Sequence, residues 1–388
     1  MHFSDAHIGF SHARYKTNSN TQINIKTEDL LEQLEKILSL AVEENVDFIV
    51  CTGDFFHQQR PSFKIVMEAM KRLATVTANN IPFIVIAGNH EKISSLGSSS
   101  PIELFNFIDK VYPISRYGTV ELEIRGKKVA IHGIAYQAFK PTETIFDLYS
   151  ELKNNCLADY ELLLIHQTLL SSERGAEFYT EDEPVNDLKL PKDIHYIGVG
   201  HIHKPQQRTH EANSKLPIIT AGSIEKMNFS EGKDKKFAWI GTLSQGKCLV
   251  SKRELTCRPM IEIEIPVSNP TQSQLEELIQ TEFKKHNNPE AFIGLRITGE
   301  LSQDLVSYLS ERKIKQMFPD QIGIQVYRNK LDLLGQKGER LTFGDVWLKS
   351  DEEELRLAIE DREDLNTATK EELLVLGKEI IENYRREE

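Results

Sequence analysis

The sequence predicts a layered α/β fold for most of the chain, with a smaller α/β module appended and a helical tail behind it. Three observations carry this. From residue 1 to about 250, short apolar runs alternate with amphipathic helical stretches, the pattern of strands packed under helices. A second cycle of strand and helix patterns fills about 258 to 330. The stretch Asn329 to Gly344 then carries three glycines, mixed charges and little periodicity, and two further helix signals follow it. The expected division is therefore a main domain over 1–255, a second module over 256–330, a linker over 331–344 and a helical tail over 345–388.

Each element has its own signal. Leu30 to Glu44 and Ser62 to Val76 have helical spacing of apolar residues, and each is followed by a strand-like run, Phe48 to Cys51 and Phe83 to Ile86. Val129 to Ile131, Leu162 to Ile165, Tyr196 to Val199 and Pro217 to Thr220 read as further strands with fewer helices between them, so this half is expected to be β-richer. In the second module, Met260 to Val267 contains the alternation Ile261-Glu262-Ile263-Glu264-Ile265 of a half-buried strand. A helix over Gln274 to His286, a strand over Phe292 to Ile297, a helix over Gln303 to Phe318 and a strand over Ile322 to Tyr327 follow. In the tail, Ser350 with Glu353 and Thr369 with Glu372 have capping-box spacing. The second of these helices aligns Leu373, Leu376, Ile380 and Tyr384 on one face.

Composition narrows the function classes. With 388 residues, 39% hydrophobic and 27% charged, the chain is an ordinary globular protein of two or three folding units. Its net charge of −12 means that a polyanion must be met by a local basic patch or by bound cations. The four cysteines, Cys51, Cys156, Cys248 and Cys257, make no CxxC spacing, which argues against structural zinc and disulfides and for a reducing compartment. No apolar run approaches the roughly 20 residues needed to span a bilayer, and a cytoplasmic protein without membrane contact is expected.

Five short motifs carry chemistry: Asp5-Ala6-His7, Gly53-Asp54 with His57 after it, Gly88-Asn89-His90-Glu91, His166, and Gly200-His201-Ile202-His203. In extended chain, residues i and i+2 point the same way, so Asp5 with His7 and His201 with His203 can each converge. Nearly all of these groups lie just beyond an apolar run, and strand ends of an open α/β sheet are where ligand crevices form. Imidazole, carboxylate and amide oxygen suit manganese, iron or zinc, and no thiolate is offered. One carboxylate, Asp54, flanked by two sets of donors is what a bridged metal pair needs. Two ions about 3.5–4 Å apart can activate water and stabilise both oxygens of an in-line phosphoryl displacement. A lone Asp-x-His or Gly-Asp is a weak signal; all five in this order are a strong one. Of the other histidines, His2, His132 and His195 read as structural, and His12 and His210 as solvated loop residues.

This order of motifs resembles that of the calcineurin-like metallophosphoesterases over residues 1 to about 250. Nearly the whole chain is similar to the nuclease family of DNA double-strand-break repair, called SbcD in bacteria. Ser4-Asp5-Ala6-His7-Ile8-Gly9, Gly53-Asp54-Phe55-Phe56-His57, Ala221-Gly222-Ser223-Ile224-Glu225 and Phe229-Ser230-Glu231 carry that likeness. The fold it implies is a layered α/β metallophosphoesterase sandwich with a small α/β capping domain and a C-terminal helical tail. The site it implies has Asp5, His7 and His203 on one ion, Asn89, His166 and His201 on the other, and Asp54 bridging, with two Mn2+ ions. His90 would contact the scissile phosphate and serve the leaving oxygen, and His57 would contact substrate or hold a neighbouring ligand. Departures from the family pattern are a Lys in Asp234-Lys235-Lys236-Phe237 where Gly is common, and Ala221 in place of Pro.

The resemblance implies 3′-to-5′ exonuclease and endonuclease activity on DNA, nucleoid association if the source is prokaryotic, and a homodimer through Ile65 to Leu73 and Ile102 to Phe107. It also implies an SMC-like ABC ATPase as partner, docked on the tail helices. Lys204, Lys284-Lys285 and Arg312-Lys313-x-Lys315 could neutralise phosphate, although each alone reads as ordinary surface. The rival enzyme reading is a phosphoesterase for small nucleotides or other phosphoesters, because a metal site alone does not choose a substrate. A non-catalytic scaffold is the third reading, and the complete donor set counts against it.

Overall fold

The structure is a computed structural model that describes residues 1–11, 15–93, 99–154, 156–171, 183–286, 288–334, 340–341, 355, 359 and 367–384. The chain forms two compact units, Met1–Arg258 and Pro259–Glu388. The first extends past the expected end at 255 because Arg258 clamps Asp29, with Nε and Nη2 donating to the two carboxylate oxygens at 2.7 and 2.6 Å.

The first unit opens with β1 (His2–Phe3), α1 (Ile25–Glu43), β2 (Ile49–Cys51), α2 (Phe63–Thr77), β3 (Phe83–Ile86) and β4 (Val111–Ile114). Asn24 caps α1 and Ser62 caps α2 with side-chain oxygens, which fixes where each helix starts after its loop. Next come β5 (Tyr117–Ile124), β6 (Lys127–Ile134), α3 (Pro141–Asn154), β7 (Tyr160–His166), β8 (Tyr196–Gly200), β9 (Gln206–His210), β10 (Asn213–Thr220), β11 (Lys236–Ser244) and β12 (Lys247–Leu255). Two six-stranded sheets result, in the orders β12-β11-β1-β2-β3-β4 and β5-β6-β7-β8-β10-β9. Between them lies a core of Val50, Ile84 and Ile86 from the first sheet and Val129, Ile131, Leu162 and Leu164 from the second. Helices α1 and α2 cover the first sheet through Leu30, Leu34, Ile37, Val66, Ala69 and Leu73, and α3 covers the second through Ile145 and Tyr149. Strands buried on both faces need continuous apolar runs, which is why β2, β3, β7 and β8 are legible in the sequence.

The second unit comprises β13 (Met260–Ser268), α4 (Gln272–Lys285), β14 (Phe292–Ser302), α5 (Gln303–Val306), α6 (Glu311–Met317), β15 (Gly323–Leu334), β16 (Arg340–Leu341) and α7 (Thr367–Tyr384). Its four strands pair in chain order, with Ile263, Ile265, Leu295, Ile297, Ile324 and Val326 packed on Leu275, Ile279, Phe283 and Ile314 of the helices. Two expectations are corrected here. The single helix expected over Gln303 to Phe318 is broken, because the Ser310 side chain accepts from Lys313 N and starts α6 afresh. The linker expected over 331–344 begins inside β15, where Leu331 to Leu334 pair in parallel with Gly299 to Ser302, and it contains β16. In the tail, Ser350 and Glu353 lie outside the described residues, while α7 exposes Leu373 and Leu376. Among the described residues no helix is long and apolar enough to cross a membrane.

Candidate metal and catalytic centre

The carboxyl ends of β1, β2, β3, β7 and β8 deliver the predicted groups to one place. Asp5, His7, Asp54 and His201 all lie in the left-handed region, with φ of 51, 43, 49 and 86°. Such backbone costs about 1–3 kcal/mol per non-glycine residue and persists only where its surroundings dictate it. Here they do: Asp5 N donates to Gly53 O at 3.0 Å, His7 N to Asp54 O at 2.8 Å, and His201 N to both Asp5 carboxylate oxygens at 3.1 Å.

Asp54 is the hub. Its Oδ2 lies 3.3 Å from His166 Nε2, 3.7 Å from His7 Nε2 and 4.0 Å from His90 Nε2, and its Oδ1 accepts from His90 N at 3.0 Å. On one side, Asn89 Oδ1 is 3.0 Å from both His166 Nε2 and His201 Nδ1. On the other, His7 Nε2 and His203 Nε2 are 3.0 Å apart, with Asp5 beside them. Two groups thus have donor atoms close enough to share an ion: Asp5, His7 and His203, and Asp54, His166 and His201. A third such group, His7, His57 and His90, contains no carboxylate.

Hydrogen bonds behind the ring decide which atoms face inward. Thr52 O can only accept, so His166 Nδ1 donates to it at 2.7 Å and Nε2 is left facing Asn89 and Asp54. Likewise His203 Nδ1 donates to Glu231 Oε1 at 3.1 Å, which turns Nε2 toward His7. Oxygens and imidazole lone pairs converging without intervening donors repel one another unless a cation sits among them. The buried site answers with charge. Burial alone would raise the Asp54 carboxyl, but His166, His7 and His90 together hold it well below the usual carboxylate range. Burial would lower His166, but the charge and hydrogen bond of Asp54, with Asp5 and Thr52 O adding to them, push it up to about 9. Burial drives His7 well below the usual imidazole value and lifts the Asp5 carboxyl. Nitrogen and oxygen donors without sulfur fit borderline-to-hard divalent ions, so these residues suit the metals that the sequence implies.

His90 and His57 sit at the mouth. His90 Nδ1 donates to His57 O at 2.7 Å, its Nε2 faces Asp54, and its side chain is 34% exposed against 3% for Asp54. The His57 ring stacks on His90 with centroids 4.9 Å apart and has Nδ1 3.3 Å from His7 Nδ1. Burial and the neighbouring His90 lower His57 to about 4.

Other histidines are structural. His2 bonds Tyr196 Oη at 2.6 Å and Thr52 Oγ1 at 2.8 Å, His132 bonds Thr119 Oγ1 at 2.8 Å, and His195 accepts from Glu161 N at 3.0 Å. His210 is a correction: it is buried, donating from Nε2 to Leu190 O and accepting at Nδ1 from Ala212 N, because a turn closes over it. His12 lies outside the described residues. The motif reading gave no role to Glu91, which is buried and accepts from Phe56 N at 2.6 Å and Gly88 N at 3.0 Å, tying the second motif to the third. Burial, with Asp54 adding to it, lifts its carboxyl to about 8.

Polar groups from five strand ends converge around one carboxylate, Asp54, in a two-sheet sandwich, the site of a metal-dependent phosphoester hydrolase. The family described as Calcineurin-like phosphoesterase matches residues 1–205, more than half of the chain, and the chain belongs to that family. It is also similar to proteins called DNA double-strand break repair protein Mre11. The Thermoplasma acidophilum protein is 26% identical over 314 residues, 79% of this chain and 78% of that one. That of Methanococcus maripaludis is 28% identical over 301 residues, covering 74% and 75%, and that of Saccharolobus solfataricus 24% over 312, covering 79% and 77%.

Proposed function

We propose that this chain is a manganese-dependent DNA nuclease of double-strand-break repair, a 3′-to-5′ exonuclease and endonuclease working by a two-metal mechanism. The observation that carries this reading is the position of Asp54 Oδ2 between the two donor groups. On this reading Asp5, His7 and His203 hold one ion, Asn89, His166 and His201 the other, and Asp54 bridges them. The bound ions would supply an activated water and charge stabilisation at the phosphate. The choice of DNA rests on the Mre11 relatives, the first two of which match 79% and 74% of this chain. On this reading His90, partly open to solvent and held by His57 O, meets the scissile phosphate and passes a proton to the leaving oxygen; its exposure beside the buried Asp54 supports this.

Two partners complete the proposal. Phe63 and Phe107 are 80% and 83% exposed, and Met67 and Leu104 also face outward, which supports a homodimer through α2 and the turn over Pro101–Phe107. Exposed Leu373 and Leu376 on α7 support docking of the tail on an SMC-like ABC ATPase.

The test is cleavage of double-stranded and hairpin DNA by the full chain with Mn2+, comparing wild type with His90→Ser. DNA cleavage by wild type is expected to fall by about 100- to 10 000-fold in the variant while Mn2+ binding is retained. Intact DNA alongside hydrolysis of small phosphodiesters would overturn the DNA assignment in favour of a small-phosphoester enzyme.

A further inference from the structure

The segments Ala221 to Glu225 and Phe229 to Glu231 stand out in the sequence only by resemblance, and Lys236 only as a departure. The structure gives all three one location, directly behind His203. Asn228 caps the short turn Phe229–Glu231 by accepting from Glu231 N at 3.2 Å, and this aims the Glu231 carboxylate at the imidazole. Glu231 Oε1 accepts from His203 Nδ1 at 3.1 Å. Its Oε2 accepts from Lys236 Nζ at 2.5 Å and Ser223 Oγ at 3.3 Å. The ammonium has three donors, and three acceptors surround it: Glu231, Ser223 Oγ at 2.8 Å and His203 O at 3.1 Å.

The backbone of His203 is gripped as well. Ser223 N donates to His203 O at 3.1 Å. Gly222 has φ of +78°, and a Cβ there would lie 2.7 Å from that same oxygen, so only glycine lets the strand end close on it. Ser223 and Lys236 are 0% and 1% exposed. A buried ion pair does little for stability, since apolar residues of similar volume serve as well or better. What it does supply is a fixed direction for the group it holds, here the one atom of His203 that faces His7 and Asp5.

We propose that Glu231 and Lys236 are positioning residues for His203, setting the affinity of the ion position formed by Asp5, His7 and His203 and leaving the position at Asp54, His166 and His201 largely alone. This rests on the two-ion reading. An imidazole bound through Nε2 needs its other nitrogen protonated and its ring held, and a carboxylate partner does both. Glu231→Gln cannot substitute: its single oxygen can serve His203 or Lys236, and its amide N–H then faces a donor at the other. Lys236→Met removes the charge that keeps the carboxylate in place.

The experiment is titration of full-length, metal-free protein with Mn2+ alone, followed by calorimetry and by electron paramagnetic resonance. Wild type is expected to take up two ions and show an exchange-coupled pair. Each variant is expected to keep one strong site, weaken the other by about 10- to 100-fold, and show an uncoupled single-ion spectrum at one equivalent. A merely structural role would lower thermal stability and weaken both sites together, and that result overturns the inference, as does a coupled pair of wild-type affinity in both variants. Failure of one variant to fold leaves the other to decide. Wild type that binds fewer than two ions would overturn the two-ion reading itself, and this inference with it.

Discussion

The two sheets approach each other tightly at Gly200, and Gly200→Ala measures how much the chemistry depends on it. Gly200 ends β8 in the second sheet, beside His166 of β7. A Cβ there would lie 2.1 Å from Thr52 O, which continues β2 in the first sheet, 2.3 Å from Ser4 Oγ and 2.7 Å from His166 Nδ1. Real Cβ atoms essentially never come within 3.0 Å of another heavy atom. The obstacle is backbone rather than a flexible side-chain tip, so about 1 Å of separation must come from moving the strands. Thr52 O is the acceptor that fixes the His166 tautomer, and it also accepts from Ser4 Oγ at 3.1 Å. Moving it turns His166 Nε2 away from Asp54. A misplacement of about 1 Å costs on the order of 100-fold in rate. The overpacking itself costs about 1–3 kcal/mol, each kcal/mol lowering Tm by about 2–4 °C in a unit of this size. The assay is kcat/KM on bis(4-nitrophenyl) phosphate with saturating Mn2+, alongside thermal unfolding. Gly118→Ala is the control, since its Cβ would meet only Ile114 Cγ2 at 3.9 Å. If Gly200→Ala matched wild type in rate and Tm, the proposed coupling of sheet contact to His166 would be wrong.

In the metal-free protein the stability contributed by Glu91 should be lost as pH rises from about 4.5 to about 8, against the opposite trend from His7 and His57, whose values burial lowers. Glu91 carries a folded pKa raised from 4.5 to about 8, so its contribution is complete below the unfolded value and disappears as pH climbs through the folded one. His166, raised from 6.5 to about 9, acts with the same sign over a higher window, and Glu91→Gln should flatten only the lower part of a urea-midpoint-against-pH curve. Phe63→Glu with Phe107→Glu should convert a dimer to a monomer in sedimentation while Mn2+ uptake is unchanged; a wild-type monomer would refute that interface. Deleting residues 345–388 should abolish capture by the ATPase coiled coil and leave nuclease activity in place, whereas retained capture would move the docking site elsewhere.

How much of this was legible in the sequence depended on burial. Strands β2, β3, β7 and β8 are apolar on both faces, so each makes an unbroken run, and the polar residue ending that run stands out. Asp54, Asn89, His166 and His201 are therefore legible at strand ends from the sequence alone. The hairpin of β11 and β12 mixes buried and exposed positions and left no such mark. Glu231 and Lys236 were missed as functional groups for a different reason. Their partner His203 lies 28 residues before Glu231, and nothing in local spacing encodes a hydrogen bond across that distance. His210 reads as a solvated loop residue because the carbonyl that holds it, Leu190 O, lies 20 residues away in sequence. Leu331 to Leu334 looked like linker because flanking charges and glycines outweighed a short strand that only pairing with β14 reveals.

The arrangement of the donors has a consequence for stability as well as for chemistry. Asp5 and His7 follow β1, and His201 and His203 follow β8; Asp54 and Asn89 follow β2 and β3, while His166 ends β7. Each donor group therefore draws on both sheets, and neither can be assembled by one sheet alone. On the two-ion reading, metal binding and sheet packing become a single equilibrium, because ions bind the assembled sandwich and not its separated halves. Mn2+ should then raise Tm in proportion to the logarithm of its concentration, and it should protect β2 and β8 from hydrogen exchange together. The same linkage explains why strained φ angles are tolerated at Asp5, His7, Asp54 and His201: the contacts that hold them come from the opposite sheet as well as their own. Loosening the core at Ile84 or Leu164, neither of which is a donor, should accordingly weaken ion binding before it unfolds the protein.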